Sequence, residues 1–302
     1  KRIFKIFGYY FNMYKQMYYI STSKVVITDG YNITVSILNH KKGTKVIQLW
    51  HSLAAIKKFG YQTIGYPDGL NPSIAKMLCM HKNYDYVISG SKAMNKSFAE
   101  AFNVEVKKVL DIGTPTIDSL LKPNNKVVKE IYNEYPALKK KINLLYAPTF
   151  RSDGRNNVDE LIKNIDSNKY NLIVSLHPKD ITKKSDQIIC IDRNKYTTFD
   201  FIRVCDYVIT DYSAVAVDAS VLNKRVILYV YDYEKYSKEN GLNIDLFKEL
   251  PGCTFKSAKD MMNMLNENKY NNEAFQKFRK KYVTNLNGGC TKKLIKLIKE
   301  NL

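Results

Sequence analysis

No run of 18 or more apolar residues occurs in the chain, which excludes a helix that spans a bilayer by itself. A separate apolar segment behind a charged N-terminus is also missing, so the first residues do not read as a secretory leader. Any membrane role is therefore expected to be peripheral. The first residue is Lys1 rather than Met, and the sequence reads as starting inside a longer one. Cysteine is sparse: Cys79, Cys190, Cys205, Cys253 and Cys290 show neither C-x-x-C spacing nor an even count, which argues against a zinc site or a disulfide framework. They read as reduced cytosolic thiols. No G-x-x-x-x-G-K-[ST] loop is present, which disfavours ATP hydrolysis. With only 13 Gly and 8 Pro, and no repeats or low-complexity tracts, the chain is neither fibrous nor disordered in composition. Acidic residues are few, 29 Asp+Glu against 48 Lys+Arg, leaving a formal charge of +19.

At 302 residues and 35.0 kDa the chain is long enough for two compact domains. The excess of cations points to a polyanionic neighbour: nucleic acid, anionic lipid or a phosphate-rich polymer. Nucleotide bias in the source genome would also inflate lysine, so charge alone does not choose among these.

Residues 1–20 carry aromatic and aliphatic residues at helical spacing with Lys1, Arg2, Lys5 and Lys15 among them. The pattern predicts a basic amphipathic helix, packed on the domain core or, as the second reading, lying on a membrane. Short β-branched runs bounded by turn residues follow at 24–30, 44–50, 84–90 and 107–112, separated by helical stretches such as 91–101. A polar stretch at 122–141 reads as an interdomain connection. A second alternation then places strands at 142–146, 170–176, 187–191, 207–209 and 225–229, with helices near 158–165, 198–204 and 213–222. Such alternation implies βαβ units and parallel sheets. The fold class is α/β with two Rossmann-like domains, 1–135 and 136–302, facing a cleft. A basic helical tail, interrupted at Asn287-Gly288-Gly289, ends the second domain.

Ligands of open α/β sheets bind beyond the carboxyl ends of the strands, so residues just after strands are the candidates for chemistry. His51 follows the strand ending in Trp50, and histidine suits a general base near neutral pH. A surface histidine capping a loop is the plainer reading. Lys57 and Lys58 follow and would neutralise phosphate on the acceptor, or simply be solvated. His177, with Pro178, repeats the strand-end position in the second half, and Thr149 and Arg151 add a hydroxyl and a cation after its first strand. Asp211 and Ser213 sit at the start of a helix whose bare N–H groups suit phosphate, although capping alone would explain them. Asp218, one turn on, would accept hydrogen bonds from sugar or polyol hydroxyls, or complement the helix dipole.

Taken together, the runs Gln48-Leu-Trp-His-Ser-Leu-Ala-Ala-Ile-Lys-Lys-Phe-Gly60, Leu145-Tyr-Ala-Pro-Thr-Phe-Arg151, Leu176-His-Pro178 and Ile209-Thr-Asp-Tyr-Ser213 resemble the CDP-glycerol glycerophosphotransferase family of wall teichoic acid synthesis. The run Leu222-Asn-Lys-Arg-Val-Ile-Leu-Tyr-Val-Tyr-Asp232 extends the match. The resemblance implies a GT-B fold whose second half binds CDP-glycerol or CDP-ribitol. The first half then presents a hydroxyl of a polyprenyl-diphosphate-linked acceptor, at the cytoplasmic face of the membrane. Implied roles are His51 as base, and His177, Thr149, Arg151, Asp211 and Ser213 holding the diphosphate, with CMP released. An anionic membrane surface is an expected partner and nucleic acid is not. No cofactor is fixed, and Mg2+ carried by the donor diphosphate is compatible with the pattern.

Ser52 stands where polymerase-like members carry Gly, and the spacing to Lys57-Lys58 resembles the primase-like branch that adds one unit. Thr116 and Asn240 stand where members often carry Arg, and the family's first strands are expected upstream of Lys1, leaving the first domain incomplete. Two other functions fit less of the pattern: a GT-B glycosyltransferase using a nucleotide sugar, and a non-catalytic basic module binding membranes or polyanions.

Overall fold

The computed structural model describes residues 2–67, 69–151, 154–176 and 187–302. Ten strands form two sheets, and every strand pair is parallel. The first sheet runs β1 (Val25–Thr28), β2 (Lys45–Gln48), β3 (Tyr86–Ile88) and β4 (Val109–Leu110) in chain order. The second contains β5 (Ile142–Tyr146), β6 (Tyr170–Val174), β7 (Ile188–Cys190), β8 (Tyr207–Thr210), β9 (Arg225–Tyr229) and β10 (Thr254–Phe255), ordered β10-β9-β8-β5-β6-β7. Continuous apolar runs form these strands because helices cover both faces: all five residues of β6 are buried, as are four of five in β9.

The order of the second sheet matters for function. The chain builds outward from β5 through β6 to β7, then returns to lay β8 on the other side of β5. Between β5 and β8 the strand order reverses, and beyond the carboxyl ends of such a switch point open α/β sheets bind their ligands. The segments after β5 and β8 carry Thr149, Arg151, Asp211 and Ser213.

Each sheet packs residues of one face into a cluster of its own, and a larger buried cluster takes in residues of both sheets, tying the halves together. The helix Pro115–Leu121 packs on the helix Val215–Val221, and Ile117 and Leu120 join the same buried cluster as Ala216 and Val217. The tail, expected to complete the second domain, splits into Asn272–Tyr282 and Cys290–Lys299 at the Gly288-Gly289 break. Its last helix returns to the first half, where Leu294 packs on Ile47 and Ile88, and the Asp118 carboxylate accepts from the Cys290 and Thr291 N–H groups at 3.1 and 2.7 Å. A helix that crosses back couples the halves through apolar burial rather than through the 122–141 connection alone.

The first helix, Arg2–Thr22, departs from the core-packed expectation. Phe11, Tyr14 and Tyr18 are 72%, 70% and 64% exposed, and among residues 8–22 only Ile20, at its end, is buried. The short helix Ile33–Ile37 packs against this helix and leaves those three rings to solvent. No helix among the described residues is long and apolar enough to cross a membrane.

Candidate active site

The loop after β2 is held by an aromatic cluster. Trp50 has φ 56°, a left-handed backbone that costs a bulky residue about 1–2 kcal/mol. Two contacts offset that strain: the Trp50 N–H donates to Oε1 of fully buried Gln48 at 2.8 Å, and its ring stacks on Phe59 at 4.8 Å. The bend turns His51 outward, with its ring 4.1 Å from the Trp50 ring and Nδ1 3.2 Å from the Asp29 carbonyl. A carbonyl can only accept, so that contact makes Nδ1 the donor and leaves the Nε2 lone pair free for an incoming proton.

In the second half the β5 and β8 segments meet directly. Asp211, with no exposure, accepts at Oδ1 from the Thr149 N–H at 2.9 Å, the Thr149 hydroxyl at 2.7 Å and the Tyr212 N–H at 2.7 Å. Its Oδ2 lies 2.9 Å from an Arg151 terminal nitrogen, an ion contact that is not aligned as a hydrogen bond. Arg151 is 7% exposed and grips Asp232 through Nε at 2.6 Å and a terminal nitrogen at 2.9 Å, and donates to the Thr149 carbonyl at 2.8 Å. Burial works against the guanidinium charge, but the Asp232 hydrogen bonds and the Asp211 charge outweigh it and hold its pKa above the ordinary value. Three rings enclose it: Tyr231, Tyr236 and Tyr212 lie 4.8, 5.7 and 5.8 Å from its Cζ. Tyr212 also donates to Asp232 at 2.9 Å and stacks on Tyr236 at 3.8 Å.

This geometry changes the roles expected of three residues. Thr149 directs both its donors to Asp211, and Asp211 is sealed and engaged, so neither offers a direct grip on diphosphate. Arg151, expected as a free anion clamp, has most of its donors on protein acceptors. These residues build the floor of the site instead. Asp211 and Asp232, both paired to Arg151, are also a poor donor set for Mg2+, and among the described residues no group of three His, Cys, Asp or Glu could hold a metal ion.

Above that floor lies a cavity of about 410 Å³, lined by both halves: Lys57 and Pro67 from the first, and Arg151, Arg155, Asp232 and Lys235 among those from the second. Lys57 reaches it from the loop that carries His51. Although much of its side chain is open to solvent, crowding of its ammonium by protein lowers its pKa; Asp211 opposes that shift and Arg151 adds to it. Lys58 turns away, with Nζ 2.9 Å from the Tyr66 hydroxyl and over that ring at 5.1 Å. Ser213 is half-buried and accepts from the Val215 N–H at 3.3 Å. Asp218 is 8% exposed with no hydrogen-bond or charge partner among the described residues, and burial alone pushes its pKa up to about 7. His177 lies outside the described residues. Asp232, Arg155 and the tyrosine enclosure went unassigned in the sequence reading. Asp232 was within reach of the same strand-end rule, since it follows β9.

The sequence profile of the CDP-glycerol:poly(glycerophosphate) glycerophosphotransferase family matches residues 6–300. The chain belongs to that family. It is 31% identical to the teichoic acid glycerol-phosphate primase of Bacillus subtilis strain 168, covering 96% of this chain and 77% of that protein. A teichoic acid ribitol-phosphate primase of Bacillus spizizenii is 30% identical over 96% of this chain and 78% of its own length. Among solved structures, the wall teichoic acid polymerase TagF superposes with a TM-score of 0.74 at 21% identity, over 92% of this chain and 73% of that one, a likeness of fold. The glycerophosphotransferase resemblance read from the motifs and the GT-B class both hold.

Proposed function

We propose that this glycerophosphotransferase moves a polyol phosphate, glycerol or ribitol, from a CDP-activated donor to a hydroxyl of a lipid-linked acceptor in teichoic acid or related polymer synthesis. The observation that carries the reading is the shared cavity: the loop of the first half that carries His51, with its free Nε2, brings Lys57 into a crevice lined by the segments after β5 and β9 of the second. The donor's diphosphate lies there, facing Lys57 and the exposed Arg155 above the Arg151 floor, with the half-buried Ser213 hydroxyl at its edge. Asp218 is assigned to hydroxyl groups of the donor, which would give its carboxyl partners. His177 is assigned to the donor side.

In the reaction, His51 Nε2 takes the proton of the acceptor hydroxyl as its oxygen attacks the β-phosphorus. The bond from that phosphorus to the bridging oxygen breaks, and CMP leaves with the bond's electron pair. Little covalent chemistry is asked of the protein; alignment and charge neutralisation do the catalysis. Peripheral attachment at a membrane suits the exposed aromatic residues of the helix Arg2–Thr22, since amphipathic rings favour the headgroup region.

The test is CMP release from CDP-glycerol and CDP-ribitol, separately, with a synthetic lipid-diphosphate acceptor carrying one glycerol phosphate and with a control lacking acceptor. Acceptor-dependent CMP from either donor supports the transferase and names its polyol. None from either, with turnover of a nucleotide sugar instead, overturns it.

A further inference from the structure

Beyond Asp232, the helix Tyr233–Asn240 leads to a short segment that crosses back onto the first half. The Lys58 N–H donates to the Gly241 carbonyl at 3.1 Å and the Asn243 N–H to the Ile56 carbonyl at 2.9 Å, with Lys57 and Leu242 as the antiparallel bridge between them. The Asn243 side chain fastens this pairing. Its Nδ2 donates to the Ala55 carbonyl at 2.9 Å and the Lys57 carbonyl at 3.3 Å, and its amide exchanges contacts with the Gln62 amide at 2.8 and 3.1 Å. Gly241, at φ +72°, lies so close that a Cβ there would come within 2.7 Å of the Lys58 side chain and 3.0 Å of the Tyr66 ring.

Successive residues of an extended segment point to opposite sides. Here Lys57 turns to the cavity and Lys58 to Tyr66. A slip of one residue would exchange them, placing Lys58 in the cleft and burying Lys57 against the ring. The bonds from Asn243 fix the register where this segment of the second half pairs with residues 56–58 of the first.

We infer that Asn243 is a positioning residue, whose clamp on residues 55–57 sets Lys57 of the first half over the Arg151–Asp211–Asp232 floor of the second, where it meets the donor's diphosphate. The inference rests on the proposed reading only in naming that anion. Among the described residues the Lys57 ammonium has no hydrogen bond or ion pair, so it is a cation held in place by its backbone and available to a ligand. The groups facing it are Asp211 and Arg151, whose opposed effects have been described.

The experiment uses the whole chain with Asn243→Ala, Lys57→Met and the double variant. Competitive acetic anhydride labelling of Lys57 across pH, read by mass spectrometry, needs no substrate. Lys57 should titrate below the ordinary lysine range in the wild type and return to it in Asn243→Ala. In CMP release, kcat/KM should fall about 10–100-fold in each single variant, and the double variant should be no worse than Lys57→Met, because coupled residues are not additive. Unchanged Lys57 titration in Asn243→Ala, or fully additive losses, would overturn the inference. If Asn243→Ala does not fold, Gln62→Ala, which removes one partner of the clamp, carries the same two readouts. Absence of any transfer by the wild type would sink the proposed donor while the labelling result still decides the clamp.

Discussion

Replacing Asp218 by Asn should stabilise the protein at pH 8 but not at pH 5. Two effects compete at this carboxyl. The start of the helix Val215–Val221 favours a negative charge by about 0.3–1 kcal/mol, up to about 2 in partly buried settings. Burial opposes it and wins, because the pKa rises to about 7 from the ordinary aspartate value of 3.8. The folded state therefore keeps its proton after the unfolded chain has lost it, so stability declines as pH rises from about 4 to about 7 and levels off above. At about 1.4 kcal/mol per pH unit, the part lost between pH 5 and pH 7 is about 3 kcal/mol. Asn carries no charge at either pH, and whatever its buried amide costs is the same at both, so that cost cancels in the difference. Urea and thermal denaturation of wild type and variant, without nucleotide, should show the variant gaining about 3 kcal/mol on going from pH 5 to pH 8, or about 5 °C for a chain of 302 residues. Parallel pH profiles for the two proteins would refute the argument and mean that Asp218 finds a charged or donating partner in solution.

His51→Ala should lower kcat for acceptor-dependent CMP release by about 10²–10⁴-fold, the usual worth of a positioned base, while donor affinity measured by calorimetry stays within twofold. His177→Ala should weaken donor binding as well as turnover, and unchanged affinity would remove it from the donor site. Arg151→Met leaves Asp211 buried without its cation and should cost about 3–5 kcal/mol in chemical denaturation; a cost under 1 kcal/mol would mean the network is not structural. A Phe11→Ser, Tyr14→Ser, Tyr18→Ser variant should sediment less with vesicles containing anionic lipid, with CMP release from a water-soluble acceptor unchanged. Equal sedimentation would remove the first helix from membrane docking.

Strands announce themselves as β-branched runs whether buried on both faces like β6 or partly open at a sheet edge like β1 and β7, which is why β1 to β9 were all legible. β10 was not, because Thr254–Phe255 is a two-residue edge element made by its pairing with Leu228 and Tyr229 rather than by its own pattern. Apolar periodicity in the first helix was legible too, but not what it meets: aromatic residues at helical spacing look the same on a core and on an open face. The last helix shows the same limit in reverse. It was legible as a basic helical tail, yet only the packing of Leu294 on Ile47 and Ile88 shows which half it serves. At the site, residue types and strand-end placement located the candidates, but hydrogen-bond commitment decides their roles and has no signature in spacing. Lys57 and Lys58 are adjacent and chemically identical, and a single backbone alternation sends one to the cavity and the other to Tyr66.

That commitment bears on how a chain of +19 recognises an anion. Charge spread over a surface raises the rate of encounter with anionic membranes and polymers but does not place a diphosphate. Placement needs a cation with unsatisfied donors in a partly closed site. The conspicuous buried cation, Arg151, does not qualify: against its single charge stand two carboxylates, Asp211 and Asp232, so the floor taken alone carries an excess of one negative charge. Such a floor is rigid and correctly shaped, yet by itself it would repel the donor. Attraction must come from the cavity's other cations, and Lys57 is the one delivered by the opposite half. A site whose attracting charge arrives from one half and whose floor belongs to the other is complete only when the halves are docked. Donor capture and the approach of His51 are thereby made to depend on the same loop.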